Sequence, residues 1–239
     1  MTKRYYTKLI FTLALLIAGG ALVKIATSQS VPNPVSLRVL ASQSGNYVSY
    51  LSPNVYPRYD FNQLVAQSTV IITGTAGTNV CKLSPDGTFI TTDFQVIVQS
   101  VVKGNLPVGS NITVSLPGGK AAFPNMCDAI SGLPCPPPTT AEIRVPWFKK
   151  LSNGSQYYLF LISSPRNSMI SQSSVPSVPF KPTGGPQGVF QIANGVVTSN
   201  SGRLHDPMWQ YNNMTVADFN LSIETSFIAG PPLPATPPP

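Results

Sequence analysis

Two long segments of alternating apolar and polar residues, joined by one turn, form the strongest pattern in the chain. In residues 90–102 the even-numbered positions are mostly apolar and the odd-numbered positions mostly polar, and residues 70–80 show the same parity more loosely. A period of two is typical of a β-strand with one buried face. Residues 84–87, Ser-Pro-Asp-Gly, favour a tight turn because Pro presets φ and Gly accepts positive φ. We therefore predict an antiparallel hairpin over residues 69–104.

The length of this hairpin favours a barrel. Each arm has about 15 residues and would extend for about 50 Å, whereas typical strands have about 5–6 residues. Arms of this length must bend, and Gly74 and Gly77 are the positions where a bend or bulge costs least. Long, bent strands shared between two sheets build small closed barrels. We therefore predict a mainly β protein with a small antiparallel barrel.

Further strands follow along the chain. Residues 111–116 alternate in the same way and end at Pro117-Gly118-Gly119. Residues 156–162, QYYLFLI, are apolar on both faces, which is typical of a buried central strand. Asn194-Gly195 is a strong hairpin signal between two short apolar segments in residues 188–198. With the hairpin, these segments predict about six strands.

Two short peripheral helices complete the predicted domain, residues 60–229. Asp60 is a candidate N-cap for a helix through Ser68. Thr215 and Asp218 resemble a capping box, and Phe219, Ile223 and Phe227 then repeat every four residues. Residues 29–59 are interpreted as a linker or wrapping arm with a possible short strand at 35–40, and residues 230–239 as a Pro-rich tail.

The N-terminal residues 1–28 resemble a secretion signal. Lys3, Arg4 and Lys8 precede an apolar segment over residues 9–23, and small residues at 26–28 offer a cleavage site. An uncleaved single-span anchor is the alternative, and it would be the protein's sole contact with a membrane. Both interpretations place the body outside the cytoplasm, as a periplasmic, secreted or outward-facing anchored protein.

Charge argues against a nucleic-acid partner. The formal net charge is +7, but four of the fifteen Lys and Arg residues lie at or before position 28, which leaves about +3 for the remaining chain. The longest basic cluster is Lys149-Lys150. A charged fraction of 10% with many hydroxyl and amide side chains suits an extracytoplasmic β protein.

Three cysteines are compatible with an oxidising compartment. A Cys127–Cys135 disulfide would stabilise the fold by roughly 2–3 kcal/mol and would leave Cys81 as an odd thiol. Pairing of Cys81 with one of the other two is the competing scheme. The Cys and His spacing does not match a metal site, and no cofactor is expected.

Three segments of the chain carry a resemblance to known proteins: FQVIVQSVVKGN, NITVSLPGG and GSQYYLFL. The chain resembles a group of bacterial exported proteins with VxxVxKG, VxVxxxGG and GExYLLFL strands. Related modules are similar to the OB-like barrel of tissue inhibitors of metalloproteinases. The resemblance implies an OB-like barrel. The chain departs from the group at Ser155, where Glu is usual, and it lacks the N-terminal Cys pair of inhibitor-like members.

A long segment without regular pattern, residues 120–153, is the predicted binding loop, because loops of this length are uncommon and often functional. Its candidate binding residues are Lys120, Phe123, Trp147, Phe148, Lys149 and Lys150. They predict an exported, non-enzymatic module that binds a protein or a component of the cell envelope.

Two alternatives remain open. The first is a hydrolase that uses His205, the sole histidine, which precedes Asp206. Adjacent side chains on an extended chain point in opposite directions, so these two residues do not by themselves form a dyad. The second is a surface protein that assembles with itself through its Pro-rich segments.

Overall fold

The computed structural model describes residues 35–123, 139–163, 179–202 and 206–229, and the elements below belong to the compact unit Ser36–Pro239. The described residues form eleven strands and three α-helices, which confirms the mainly β prediction. Four predictions fall outside the described residues: the signal or anchor, the Cys127–Cys135 disulfide, His205 and the Pro-rich tail. None of the described helices is long and apolar enough to cross a membrane.

The elements follow one another in this order. The helices are α1 (Leu37–Ser44), α2 (Phe61–Gln67) and α3 (Val216–Ala229). The strands are β1 (Asn46–Tyr50), β2 (Val70–Leu83), β3 (Ile90–Lys103), β4 (Asn111–Pro117), β5 (Gly119–Phe123), β6 (Thr139–Arg144), β7 (Gln156–Ile162), β8 (Lys181–Pro182), β9 (Val189–Ala193), β10 (Val196–Ser199) and β11 (Met214–Thr215).

The long hairpin is confirmed: β2 and β3 have 14 residues each and pair antiparallel. Phe94, Val96 and Val98 on β3 are each 1% exposed, as the alternation predicts. In the turn, the backbone N–H of Thr88 donates to Asp86 Oδ1 at 3.1 Å, and hydrogen bonds from Ser84 and Thr88 lower the pKa of Asp86. The turn therefore closes through the Asp side chain.

The pairing of β2 with β3 shifts register at both glycines singled out by the sequence. One shift lies at Thr73/Gly74 and another between Ala76 and Asn79, across Gly77. Between Ala76 and Asn79, β2 advances by three residues while β3 advances by two. Beyond this bulge, the odd-numbered residues of β2 therefore point to the side that the even-numbered residues faced before it. Residues 78–83 are exposed at both parities, and Val80 among them is 61% exposed, so its predicted place on the buried face is wrong.

The larger sheet has the order β11-β10-β9-β7-β2-β3-β4, with β8 paired to β7. Among the described residues its two end strands do not pair with each other, so a closed barrel is not confirmed. The segment around β8 pairs with two strands of the sheet, β7 and the end strand β4. Leu161 of β7 is opposite Pro182, and Phe180 makes a parallel bridge to Val114 of β4.

The first residues of β2 are buried on both faces of the sheet, and the neighbours Ile71 and Ile72 are both 0% exposed. Ile72 belongs to a core formed by β2, β3, β4, β7 and residues 145–151. Ile71 belongs to a second core, on the face that α2 and α3 cover. Both predicted helices are confirmed, and Asp60 caps α2 in a capping box with Gln63. We call this second face of the sheet the helix-covered face.

The structure corrects two predictions, one for residues 35–40 and one for residues 120–153. Residues 37–44 form α1 instead of a strand at 35–40, because Ser36 caps a helix that buries Leu37 and Ala41 at i and i+4. The predicted irregular segment 120–153 contains β5 and β6, which form a second sheet of order β1-β6-β5. Strand β1 pairs parallel with β6, a partner far away along the chain.

Candidate functional site

A cleft of about 550 Å³ lies beside α3. It opens over the part of the helix-covered face that the two helices leave exposed. We call it the α3 cleft. Its lining residues come from five elements: Thr73, Gln99, Ser100, Val102, Gln156, Tyr158, Ile192, Val216, Asn220, Glu224 and Phe227. The volume is in the range of sites for small molecules.

The floor of the α3 cleft is a network of hydroxyl and amide side chains that crosses three strands. The Oγ atoms of Thr73 and Ser100 are 2.7 Å apart. Gln99 Nε2 donates to Thr75 Oγ1 at 2.7 Å, and Gln156 Nε2 donates to Gln99 Oε1 at 3.0 Å. These polar side chains occupy the part of the sheet that α3 does not cover, which keeps them accessible.

Helix α3 forms the wall of the cleft. The Thr215 hydroxyl accepts a hydrogen bond from the N–H of Asp218 at 3.1 Å and so caps the helix start. From this start Asn220, Glu224 and Phe227 follow at intervals of four and three residues, which places them on one side of the helix. Their common side faces the floor, and Phe227 is 41% exposed at the cleft edge.

Tyr158 connects floor and wall. Its side chain is 1% exposed, and its hydroxyl donates to Asn220 Oδ1 at 2.7 Å. Burial raises the pKa of Tyr158, and the hydrogen bond to Asn220 opposes that shift. Because Oδ1 accepts from the tyrosine, the Nδ2 group of Asn220 is left with two hydrogens to donate.

The charge of the cleft lining is a single carboxylate, Glu224. A cation, Lys103, lies beside the cleft, with its Nζ 5.9 Å from the centroid of the Phe227 ring. That Nζ donates to the carbonyl oxygen of Val65 at 2.8 Å, at the C-terminal end of α2. Desolvation lowers the pKa of Lys103. The ammonium group of Lys103 therefore binds the C-terminal end of α2, beside the cleft.

Three polar groups in the lining have no hydrogen-bond partner among the described residues. They are Nδ2 of Asn220, Oε1 of Gln156 and the carboxylate of Glu224. One donor and two acceptors therefore remain for a ligand or for water. The lining offers hydrogen bonds and an aromatic ring rather than a nucleophile paired with a base, and the described residues contain no group of three metal-ligating side chains.

The structure buries the aromatic residues of the predicted binding loop. Phe123 is 6% exposed in the core of the smaller sheet, next to α1. Trp147 and Phe148 are 9% and 8% exposed in the core on the other face of the larger sheet. The indole N–H of Trp147 donates to the Leu51 carbonyl at 3.0 Å. These three side chains fill cores and do not form one surface.

The three lysines of that loop are exposed, whereas its aromatic side chains are buried. Lys120 lies on β5, in register with Glu142 of β6. Lys149 and Lys150 follow the buried pair Trp147-Phe148, and all three lysines are exposed. None of the six predicted residues lines the α3 cleft.

Asp206, the neighbour of His205, is engaged in the fold. It is 4% exposed and accepts hydrogen bonds from Ser201 Oγ, from Gln187 Nε2 at 3.1 Å and from the N–H of Met208 at 2.9 Å. It caps the 3₁₀ helix Pro207–Tyr211. These donors occupy the carboxylate, so its visible role is structural.

Cys81 carries a free, exposed thiol, and its Sγ lies 3.5 Å from Thr92 Oγ1. A free Cys81 thiol is what a Cys127–Cys135 disulfide predicts. Those two cysteines lie outside the described residues.

Sequence reasoning missed the α3 cleft. One signal was present: Ser100 interrupts the even-numbered apolar positions of β3, and it proves to be a cleft residue. Neither the scan against protein-family models nor the search of curated proteins finds a match for this chain.

Proposed function

We propose that this protein is an exported, non-enzymatic binding module that holds a component of the cell envelope in the α3 cleft. The observation that carries the proposal is the combination of three hydrogen-bonding groups without a described partner and an exposed aromatic ring in one cleft. In ligand clefts, a few precisely placed polar groups fix the orientation of the ligand. Export rests on the basic and apolar residues 3–24 and on the low charge of the rest of the chain.

The scaffold of this module is a small OB-like barrel closed by the segment Phe180–Pro182. In support, the N–H of Ser115 donates to the Phe180 carbonyl and the N–H of Phe180 to the Thr113 carbonyl, both at 2.8 Å. The same segment pairs with β7 on its other side. The core side chains of β2, β3, β4 and β7 would then fill the barrel interior. The α3 cleft lies on the outer wall of that barrel.

A pair of substitutions on α3 tests the binding role. Glu224→Trp places a large ring in the cleft, whereas Thr225→Trp places the same ring at the next position, which is exposed but outside the lining. We expect Glu224→Trp to weaken binding of the labelled full chain to isolated cell envelopes by about tenfold or more. Thr225→Trp should bind like the wild type. Glu224→Gln separates the loss of charge from the blocking of the cleft.

Equal binding of the two tryptophan variants would refute the proposal, because the envelope contact would then lie elsewhere. Matching unfolding midpoints of both variants and the wild type show that the fold is retained.

A further inference from the structure

We infer that the ligand of the α3 cleft is a neutral glycan, held by its hydroxyl groups and by one ring face against Phe227. This inference deepens the proposed function and rests on it. It is motivated by the fixed hydrogen-bonding pattern of the cleft and by the position of its one exposed aromatic ring.

The orientation of the cleft amides favours a hydroxylated ligand. Tyr158 donates to Asn220 Oδ1, so Asn220 presents its Nδ2 hydrogens as donors. Gln156 uses its Nε2 to donate to Gln99, so its Oε1 remains as an acceptor. A sugar hydroxyl both donates and accepts, so a donor and an acceptor held in fixed orientations suit neighbouring hydroxyls. Such preorganisation lowers the entropy cost of binding.

The exposed aromatic ring of the cleft also favours a sugar. Phe227 lines the cleft and is 41% exposed, although it is one of the most apolar residues of α3. A pyranose ring has a face of C–H groups that packs on an aromatic ring, while its hydroxyls point sideways to polar partners. The cleft supplies both kinds of contact at once, with the ring on the wall and the amides on the floor and wall.

The charge and polarity of the cleft disfavour other classes of ligand. Glu224 is the one charged residue in the lining and would repel a phosphate or a carboxylate. Under an acyl chain, Gln156 Oε1 and Asn220 Nδ2 would lose water and gain no hydrogen bond in exchange. A neutral, hydroxylated ligand satisfies both constraints.

The test begins with defined probes and matched variants. Maltohexaose, cellohexaose and mannohexaose, whose 1,4-linked units all carry vicinal diols, are titrated into the full chain by calorimetry. We expect at least one to bind, and Phe227→Ala to weaken it by about tenfold. Ile228→Ala removes a neighbouring apolar side chain that is 87% exposed and not part of the lining, and it should change affinity by less than about twofold.

Asn220→Asp supplies a second variant that retains the acceptor for Tyr158 and removes the donor. It should also weaken binding by about tenfold. Binding of none of the three oligosaccharides to the wild type, or equal affinities of Phe227→Ala and Ile228→Ala, would overturn the glycan inference.

Chemical treatment of the envelopes separates this inference from the proposed function. Periodate cleaves vicinal diols, so it should abolish the envelope binding that Glu224→Trp weakens, while proteinase treatment should leave it intact. The reverse result would overturn the glycan inference and leave the cleft as a protein-binding site. If Glu224→Trp has no effect on envelope binding, both proposals fail.

Discussion

The Tyr158 hydroxyl donates a 2.7 Å hydrogen bond to Asn220 Oδ1 and thereby joins central strand β7 to helix α3. Tyr158 also packs against Phe219 of the same helix, with ring centroids 4.9 Å apart. The strand therefore fixes the amide that faces the α3 cleft. Stability and the proposed binding role depend on the same contact.

Tyr158→Phe should reduce the free energy of unfolding by about 1 kcal/mol, because it removes one hydrogen bond and retains the buried ring. Urea denaturation measures the change. Tyr50→Phe is the matched control, since Tyr50 is 63% exposed, and it should shift stability by less than about 0.5 kcal/mol. Equal effects of the two substitutions would show that the Tyr158–Asn220 bond does not contribute to stability.

Alkaline pH should weaken the fold through the same tyrosine. Burial raises the pKa of Tyr158 in the folded protein. Above about pH 10 the unfolded chain loses this proton while the folded protein keeps it, so stability falls as pH rises toward the folded pKa. The free energy of unfolding of wild type minus Tyr158→Phe should be constant below about pH 10 and decrease above it. A difference that increases with pH would contradict the raised pKa.

Gly118 and Gly109 provide a matched test of packing between the two sheets, since both have φ of +83°. A Cβ at Gly118 would lie 2.7 Å from the Ile143 carbonyl oxygen, whereas nothing lies within 4 Å of one at Gly109. Gly109→Ala should cost about 1 kcal/mol from the backbone conformation alone.

Gly118→Ala should cost about 1–3 kcal/mol more, because the contact on β6 must shift. Thermal unfolding of the two variants gives the comparison. Equal costs would mean that β4, β5 and β6 are not packed as described.

Val96→Ala and Val80→Ala test the difference in burial between the two ends of the hairpin. Val96 is 1% exposed and Val80 is 61% exposed, although the simple alternation places both on the buried face. We expect a loss of about 2 kcal/mol for Val96→Ala and of less than about 0.5 kcal/mol for Val80→Ala. Comparable losses in chemical denaturation would place Val80 in the core and contradict the exposure of residues 78–83.

The parts of the fold that sequence reasoning predicted are those with local causes. One-sided burial produces the alternation of β3, and Asn194-Gly195 produces the hairpin between β9 and β10, with φ of 53° and 77°. Capping by Asp60 and Thr215 marked the starts of α2 and α3. Each of these signals lies within a few residues of the structure that it causes.

The parts that escaped prediction depend on partners far away in the sequence. Strand β6 is short and takes β1, about 90 residues earlier, as its parallel partner. The bulge at Gly77 was predicted as a position, but its effect on Val80 depends on the pairing with β3. The α3 cleft unites Thr73, Gln156 and Asn220 from three distant segments, and the sequence signals in these segments concern strands and a helix cap, not a ligand.

The most direct test of the account is an NMR titration of the isotope-labelled full chain with a glycan fraction released from the envelope. The account predicts the largest shift changes at the side-chain amides of Gln156 and Asn220 and at the backbone amides of Gln99 and Phe227. Shift changes at Lys120 and residues 147–150, with the cleft amides unchanged, would contradict this account. They would indicate that the ligand binds the loop predicted from the sequence.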